Sequence, residues 1–215
     1  MKQLLKKELG FTALPLSYLF LLFSLMTLVP GYPILMGGFF LCLGLFQSML
    51  SAREQQDLTF TLLLPVSKAE AVAAKYLFTM LIQGSYWLLC ALFTVLRMTV
   101  LSQATVYREN PMMNANPAYL GWNLLLFLLF NQLVLGGYWK DGNSLGRPFL
   151  CFGAATLVLV ALGETLHHIP GLEVLNAITA APIQWLIFGI GVCLYFPLTC
   201  LSMKNAQRHF EAVDL

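Results

Sequence analysis

The sequence predicts an all-α polytopic membrane protein. It would have six transmembrane helices, an N-terminal interfacial helix and a cytoplasmic helix between helices 2 and 3. Three observations carry this reading. The 215-residue chain is 59% hydrophobic and only 10% charged, with a mean hydropathy of +0.75; a soluble domain averages about 25% charged residues. Its charges are gathered into islands between long apolar runs. Of its 12 Lys and Arg residues, all but Arg97 and Arg108 fall on one side of the layout those runs define.

The N-terminus, MKQLLKKELGFTALPL, is basic and then apolar. It shows no small-residue cleavage site, and the apolar run is too long for the core of a signal peptide, so a retained interfacial helix is expected. A span needs about 20 apolar residues to cross roughly 30 Å of hydrocarbon. Residues 11–50 are long enough for two, and Pro30-Gly31-Tyr32-Pro33 supplies the break. Helix 1 is therefore placed at about 11–29 and helix 2 at about 33–50. A charged segment follows, and helix 3 runs from about 70 to 96. The polar, Pro/Asn-rich stretch 102–118 reads as a loop, helix 4 as about 118–139, and KDGNSLGRP (140–148) as a turn-rich connection. Helix 5 spans about 149–166, a mixed segment covers 167–181, helix 6 spans about 182–202, and a polar tail follows. The whole, 1–215, forms one transmembrane domain.

Six spans put both termini on the side that holds Lys2, Lys6, Lys7, Arg53, Lys68, Lys75, Lys140, Arg147, Lys204 and Arg208. The positive-inside rule makes that side cytoplasmic. Net charge is only +2 and no basic patch stands out, which argues against a nucleic-acid partner. The five cysteines all lie in apolar runs without CxxC or Cys/His metal spacing, and are read as packing residues. No catalytic constellation and no metal site is found. Adjacent His167 and His168 cannot share a helix face as paired ligands. The glycine run beginning at Gly142 lacks the Lys and hydroxyl residue of a phosphate-binding loop, so this chain is expected to bind no ATP itself.

The most informative segment is 51–76, SAREQQDLTFTLLLPVSKAEAVAAKY, an island of six charges flanked by long uncharged runs. Pro65 disfavours helix at Leu64 and ends any helix arriving from upstream. Ser67-Lys68-Ala69-Glu70 fits a capping box, so helix 3 should begin in the cytosol. Residues 53–64 can form a short amphipathic helix with Glu54 and Asp57 on one face. Pattern alone leaves open a plain solvated loop lying on the headgroups.

The sequence Glu54-x-x-Asp57, then Leu-Leu-Pro65-Val66-Ser67-Lys68, then Lys75-Tyr76, resembles the small permeases of ATP-binding-cassette type 2 exporters. The resemblance covers the whole chain in layout and about 25 residues in motif. It implies that the 51–69 region is a coupling helix docking on a separate ATPase subunit, with Glu54, Asp57, Pro65, Ser67 and Lys68 as docking residues. An aromatic often follows the acidic pair in that family; here Leu58 and Thr59 take those positions and Phe60 comes next. The resemblance further implies ATP and Mg²⁺ on the partner ATPase, a second permease chain, a bacterial plasma membrane, an amphipathic cargo (peptide, toxin, drug or lipid), and short re-entrant helices before helix 6, where Pro170-Gly171 breaks the chain. The rival classes are a membrane enzyme, for which no constellation is present, and a non-transporting immunity or assembly factor.

Polar groups inside spans carry a free-energy cost and face protein or water. Gln47, Gln83, Asn123, Asn131, Gln132 and Glu164 are the candidates. Asn123, Asn131, Gln132 and Glu164 are the possible cargo path, with Asn123 and Asn131 about two turns apart on helix 4. Interhelical hydrogen bonding is the plainer alternative and the favoured one.

Overall fold

The structure, a computed structural model, describes residues 1–141 and 145–212. Among these residues it contains helices and no strand. Part of the connection expected at 140–148, residues 142–144, lies outside the described residues.

The N-terminal arm is α1, Lys2–Lys7, which widens into a π-helical turn over Glu8–Thr12. Helix α2, Pro15–Leu19, tightens into a 3₁₀ helix over Phe20–Leu28. Arm and span meet at 92°. The single helix expected over 11–29 is thereby corrected: residues 11 and 12 belong to the arm. The cause is Pro15, which forces Leu14 into extended backbone (ψ 146°). The N–H of Leu14 donates instead to Ser48 Oγ at 3.0 Å. Because 3₁₀ helix rises about 2.0 Å per residue, Pro15–Leu28 reaches roughly 25 Å, more than α-helix of that length would.

Helix α3, Met36–Glu54, packs on α2 through Ser17, which bonds Gly44 O and Ser48 Oγ. Gln56 then turns left-handed (φ 52°), and α4, Asp57–Leu62, begins. The structure thus replaces the helix expected over 53–64 with two, Glu54 ending one and Asp57 opening the next. Helix α5, Lys68–Thr99, is 32 residues long. At about 48 Å it exceeds the hydrocarbon by several turns. A short α6, Thr105–Arg108, interrupts the loop expected at 102–118.

The centre of the bundle is α7, Pro117–Phe130, which passes through a π turn at Asn131–Leu135 into α8, Gly136–Asp141. Of its most apolar window 72% is buried, against 33% or less in α5, α9 and α10. Helix α9 covers Gly146–Thr165 and α10 covers Pro182–Glu211. The helix expected to end at about 202 continues for nine residues into the polar tail. Phe210 explains the extension, its ring centroid 4.8 Å from that of Trp139. Helices α7 and α10 touch backbone to backbone: a Cβ on Gly121 would lie 2.6 Å from Ile187 O, and one on Gly191 2.7 Å from Gly121 O. Close approach of small residues is the packing that lipid-embedded helices favour.

Four helices are long and apolar enough to cross a membrane: Lys68–Thr99, Pro117–Lys140, Gly146–His168 and Pro182–Glu211. The bent pair Lys2–Thr12 and Pro15–Leu28 makes a fifth if taken as one span. An all-α polytopic membrane protein is therefore borne out, with four or five spans by length and composition among the described residues. Helix α3 is about 28 Å long, but Gly37, Gly38, Gly44, Gln47, Ser48 and its charged end dilute its apolar character.

The segment 166–181 forms two 3₁₀ turns, Leu166–His168 and Glu173–Asn176. They are stitched to the loop before α7: Asn114 N–H and Nδ2 donate to Asn176 Oδ1 and O (2.6 and 2.9 Å), and Asn116 Nδ2 donates to Leu175 O (2.7 Å).

The α7–α10 contact yields a direct expectation. Gly191→Ala must push the two backbones apart, costing about 1–3 kcal/mol by overpacking. Gly189→Ala, whose Cβ would meet nothing within 4 Å, should stay within about 0.5 kcal/mol of wild type. Thermal unfolding of the two variants in detergent measures the difference.

Candidate docking site at the basic end of the bundle

The sequence-predicted docking residues gather around the junction of α4 and α5. The capping box is present: Ser67 Oγ accepts the Glu70 N–H at 3.2 Å, and Glu70 Oε2 accepts the Ser67 N–H at 3.1 Å. Helix α5 therefore starts at a defined point, Lys68, three residues after Pro65. Glu54 and Pro65 are exposed. Lys68 lies 5.7 Å from the centroid of the Phe210 ring, and Gln207 Nε2 donates to Ala69 O at 3.0 Å. The end of α10 thus braces the start of α5.

Asp57 departs from the expected pattern. Because α3 and α4 are separate helices, Glu54 and Asp57 do not share one helix face. Asp57 Oδ2 instead accepts from Lys7 Nζ at 2.6 Å. The same ammonium donates to Thr61 Oγ1 at 2.7 Å and to Glu8 Oε1 at 3.2 Å. Glu8 in turn pairs with Lys75 Nζ at 3.6 Å, both side chains being less than 10% exposed. Four charges of alternating sign thus bind the arm, α4 and α5. Sequence reasoning missed Lys7, Glu8 and Lys75 as members of this site. The available signal was Glu8, a lone acid placed directly after two lysines and before the long uncharged run.

Large apolar side chains are exposed on α4 and in the turn that follows it. Phe60 is 65% exposed, Leu63 78% and Leu64 55%. Leu58 and Leu62 turn inward and pack against the core.

The intramembrane polar residues are distributed rather than gathered on one path. Asn131 and Gln83 exchange two hydrogen bonds (3.0 and 3.1 Å). The Tyr195 hydroxyl donates to Gln83 Oε1 at 2.8 Å, and Asn131 Nδ2 reaches Thr199 Oγ1 at 3.2 Å, tying α5, α7 and α10 together. Gln132 Nε2 donates to Leu198 O at 2.7 Å. Asn123 turns to α3, where its Oδ1 would stand 2.7 Å from a Cβ on Gly38. Asn123 and Asn131 face different neighbours because eight residues at 3.6 per turn leave them about 80° apart. Glu164 sits at the opposite end of the bundle, its Oε2 accepting the Met113 N–H at 2.7 Å. That end also holds Arg97, which donates to Thr27 O and Asn114 Oδ1.

A bundle of lipid-length helices with one exposed, braced element between two of them defines a helical membrane protein. A family model for ABC-2 family transporter proteins matches residues 3–211, and the chain belongs to that family. Membership supports a membrane permease component that works with an ATPase. No curated protein and no solved structure matches the chain.

The buried Glu8–Lys75 pair gives this site a stability test. Glu8→Ala leaves Lys75 without its anion, at a cost of about 3–5 kcal/mol. Glu54→Ala, at an exposed residue, should stay within about 0.5 kcal/mol. Denaturation of both variants in the same detergent checks the contrast.

Proposed function

We propose that this chain is the membrane-spanning permease subunit of an ATP-driven bacterial exporter, moving an amphipathic cargo such as a peptide, toxin, drug or lipid. In this reading the chain has six spans, α3 being the additional one, with both termini in the cytoplasm of the plasma membrane. A second permease chain, identical or related, completes the pathway. The chain is not itself an enzyme and holds no cofactor; ATP and Mg²⁺ are bound by the separate ATPase subunit.

One observation carries the proposal. Phe60 on the six-residue α4 and Leu63 and Leu64 in the turn just after it form an exposed apolar edge. An edge of large apolar residues on an element beside the basic end fits a partner's groove, where buried aromatic and aliphatic anchors dominate binding. The docking set is then Phe60, Leu63, Leu64 and Pro65, with Glu54 and Lys68 at its rim. Ser67 acts by capping α5, and Asp57 acts within the chain. In this reading a displacement of α4 passes into α5 through the short turn 63–67, which Pro65 stiffens and the Ser67–Glu70 cap closes.

Asn131 and Gln132 serve interhelical bonding in this reading, Asn123 donates to Tyr119 O one turn back in its own helix, and Glu164 fastens the outer loop. The cargo path would be largely apolar, which suits an amphipathic cargo.

Co-purification tests the proposal. The wild-type chain expressed with its ATPase should retain it through detergent extraction. Phe60→Asp with Leu63→Asp should lower retention about tenfold or more while the permease still inserts. Equal retention by the double variant would contradict α4 as the docking element.

A further inference from the structure

We propose that the N-terminal arm is a positioning element for the docking helix, with Lys7 as the positioning residue, so that a push on α4 reaches α2 as well as α5. This rests on the docking reading of α4 given above.

The argument starts from α4 itself. It has six residues, is entered through a left-handed Gln56, and is followed by Pro65. A helix this short does not persist by its own hydrogen bonds, because nucleation costs more than one or two closed turns return. Something outside must hold it, and Lys7 is placed to do so. Its ammonium meets three acceptors, Glu8 Oε1, Asp57 Oδ2 and Thr61 Oγ1. A lysine ammonium has three N–H donors, so all are engaged. Two of those acceptors are the first residue of α4 and the residue four positions on. Thr61 Oγ1 also donates to Asp57 O at 2.7 Å. Lys7 therefore grips a complete turn of α4 rather than one side chain.

The other end of the connection is equally defined. The arm is tied to α5 by Glu8–Lys75, and it turns through 92° into α2 at the Leu14-Pro15 corner. That corner is pinned by the bond from Leu14 N–H to Ser48 Oγ. Motion of α4 then has two exits. One runs through the capped junction into α5. The other runs through Lys7 into the arm, around the corner and into α2. An arm held only by lipid would not follow α4, so the same basic residues that suit a headgroup surface here include one that faces inward. Lys6, its neighbour, is exposed and is the natural control.

The first test needs no ATPase. In the full-length chain in nanodiscs, amide hydrogen exchange is followed over 57–64. Lys7→Ala should raise exchange there by about tenfold, the scale of one charge-assisted bond lost. Lys6→Ala should not, and Lys7→Asp combined with Asp57→Lys should restore protection. Unchanged exchange in Lys7→Ala, or the same rise in Lys6→Ala, overturns the clasp. The second test uses the permease–ATPase complex. Lys7→Ala should lower cargo-stimulated ATP hydrolysis with the ATPase still bound, and the charge swap should recover it. A loosened α4 with wild-type stimulation overturns the positioning role. If the wild-type chain binds no ATPase, the docking reading fails by itself and the exchange measurement decides the clasp.

Discussion

Four mutually neutralising charges organise the basic end of this protein: Lys7, Asp57, Glu8 and Lys75. Lys75 and Glu8 are almost fully buried, where an unpaired charge is costly and a paired one is tolerated only with good geometry. Their pairing fixes where the arm lies against α5. The position of the arm fixes where Lys7 can reach, and Lys7 fixes α4. The exposed apolar edge at α4 is thus presented in one orientation because the buried ion pair beside Lys7 leaves little choice.

The interior follows the same rule with neutral groups. Gln83 and Asn131 satisfy each other's amides, and Tyr195 and Thr199 take up remaining capacity. In hydrocarbon such closure is required, since no water is present to complete it. The network lies where α7 widens into its π turn and close to Pro197, which interrupts the regular bonding of α10. The Ser202 hydroxyl donates to Asn131 O, next to the widened turn. Nearer the start of α7, Gly121 and Gly191 bring the two helices into backbone contact. Rigid helices joined at a few irregular points can transmit a displacement rather than absorb it.

Much of this was legible in the sequence. The apolar runs placed α5, α9, the continuous stretch from α7 through α8 and the start of α10 within a few residues, because length and hydropathy report directly on a bilayer. The capping box at Ser67 and Glu70 was readable because its chemistry is local. What escaped was non-local or compensated. Pro15 lies inside a largely apolar stretch that reads as one helix, and only the acceptor on Ser48 shows where the chain turns. The partition of Glu54 and Asp57 between two helices depends on one left-handed residue, Gln56, which no pattern announces. Lys7 lies 50 positions from its partner Asp57, beyond any periodicity argument. The amides of the spans were recognised as costly, but their pairing required knowing which faces of α5, α7 and α10 meet.

The central claim is that α4 meets the ATPase. Site-specific photo-crosslinking from position 63 in intact membranes tests it most directly. The account predicts a covalent adduct between that position and an ATP-binding subunit, with none from the equivalent probe at position 157, on the exposed face of α9. Adducts from position 63 to lipid alone, with the ATPase captured from a probe elsewhere on the basic end, would contradict it.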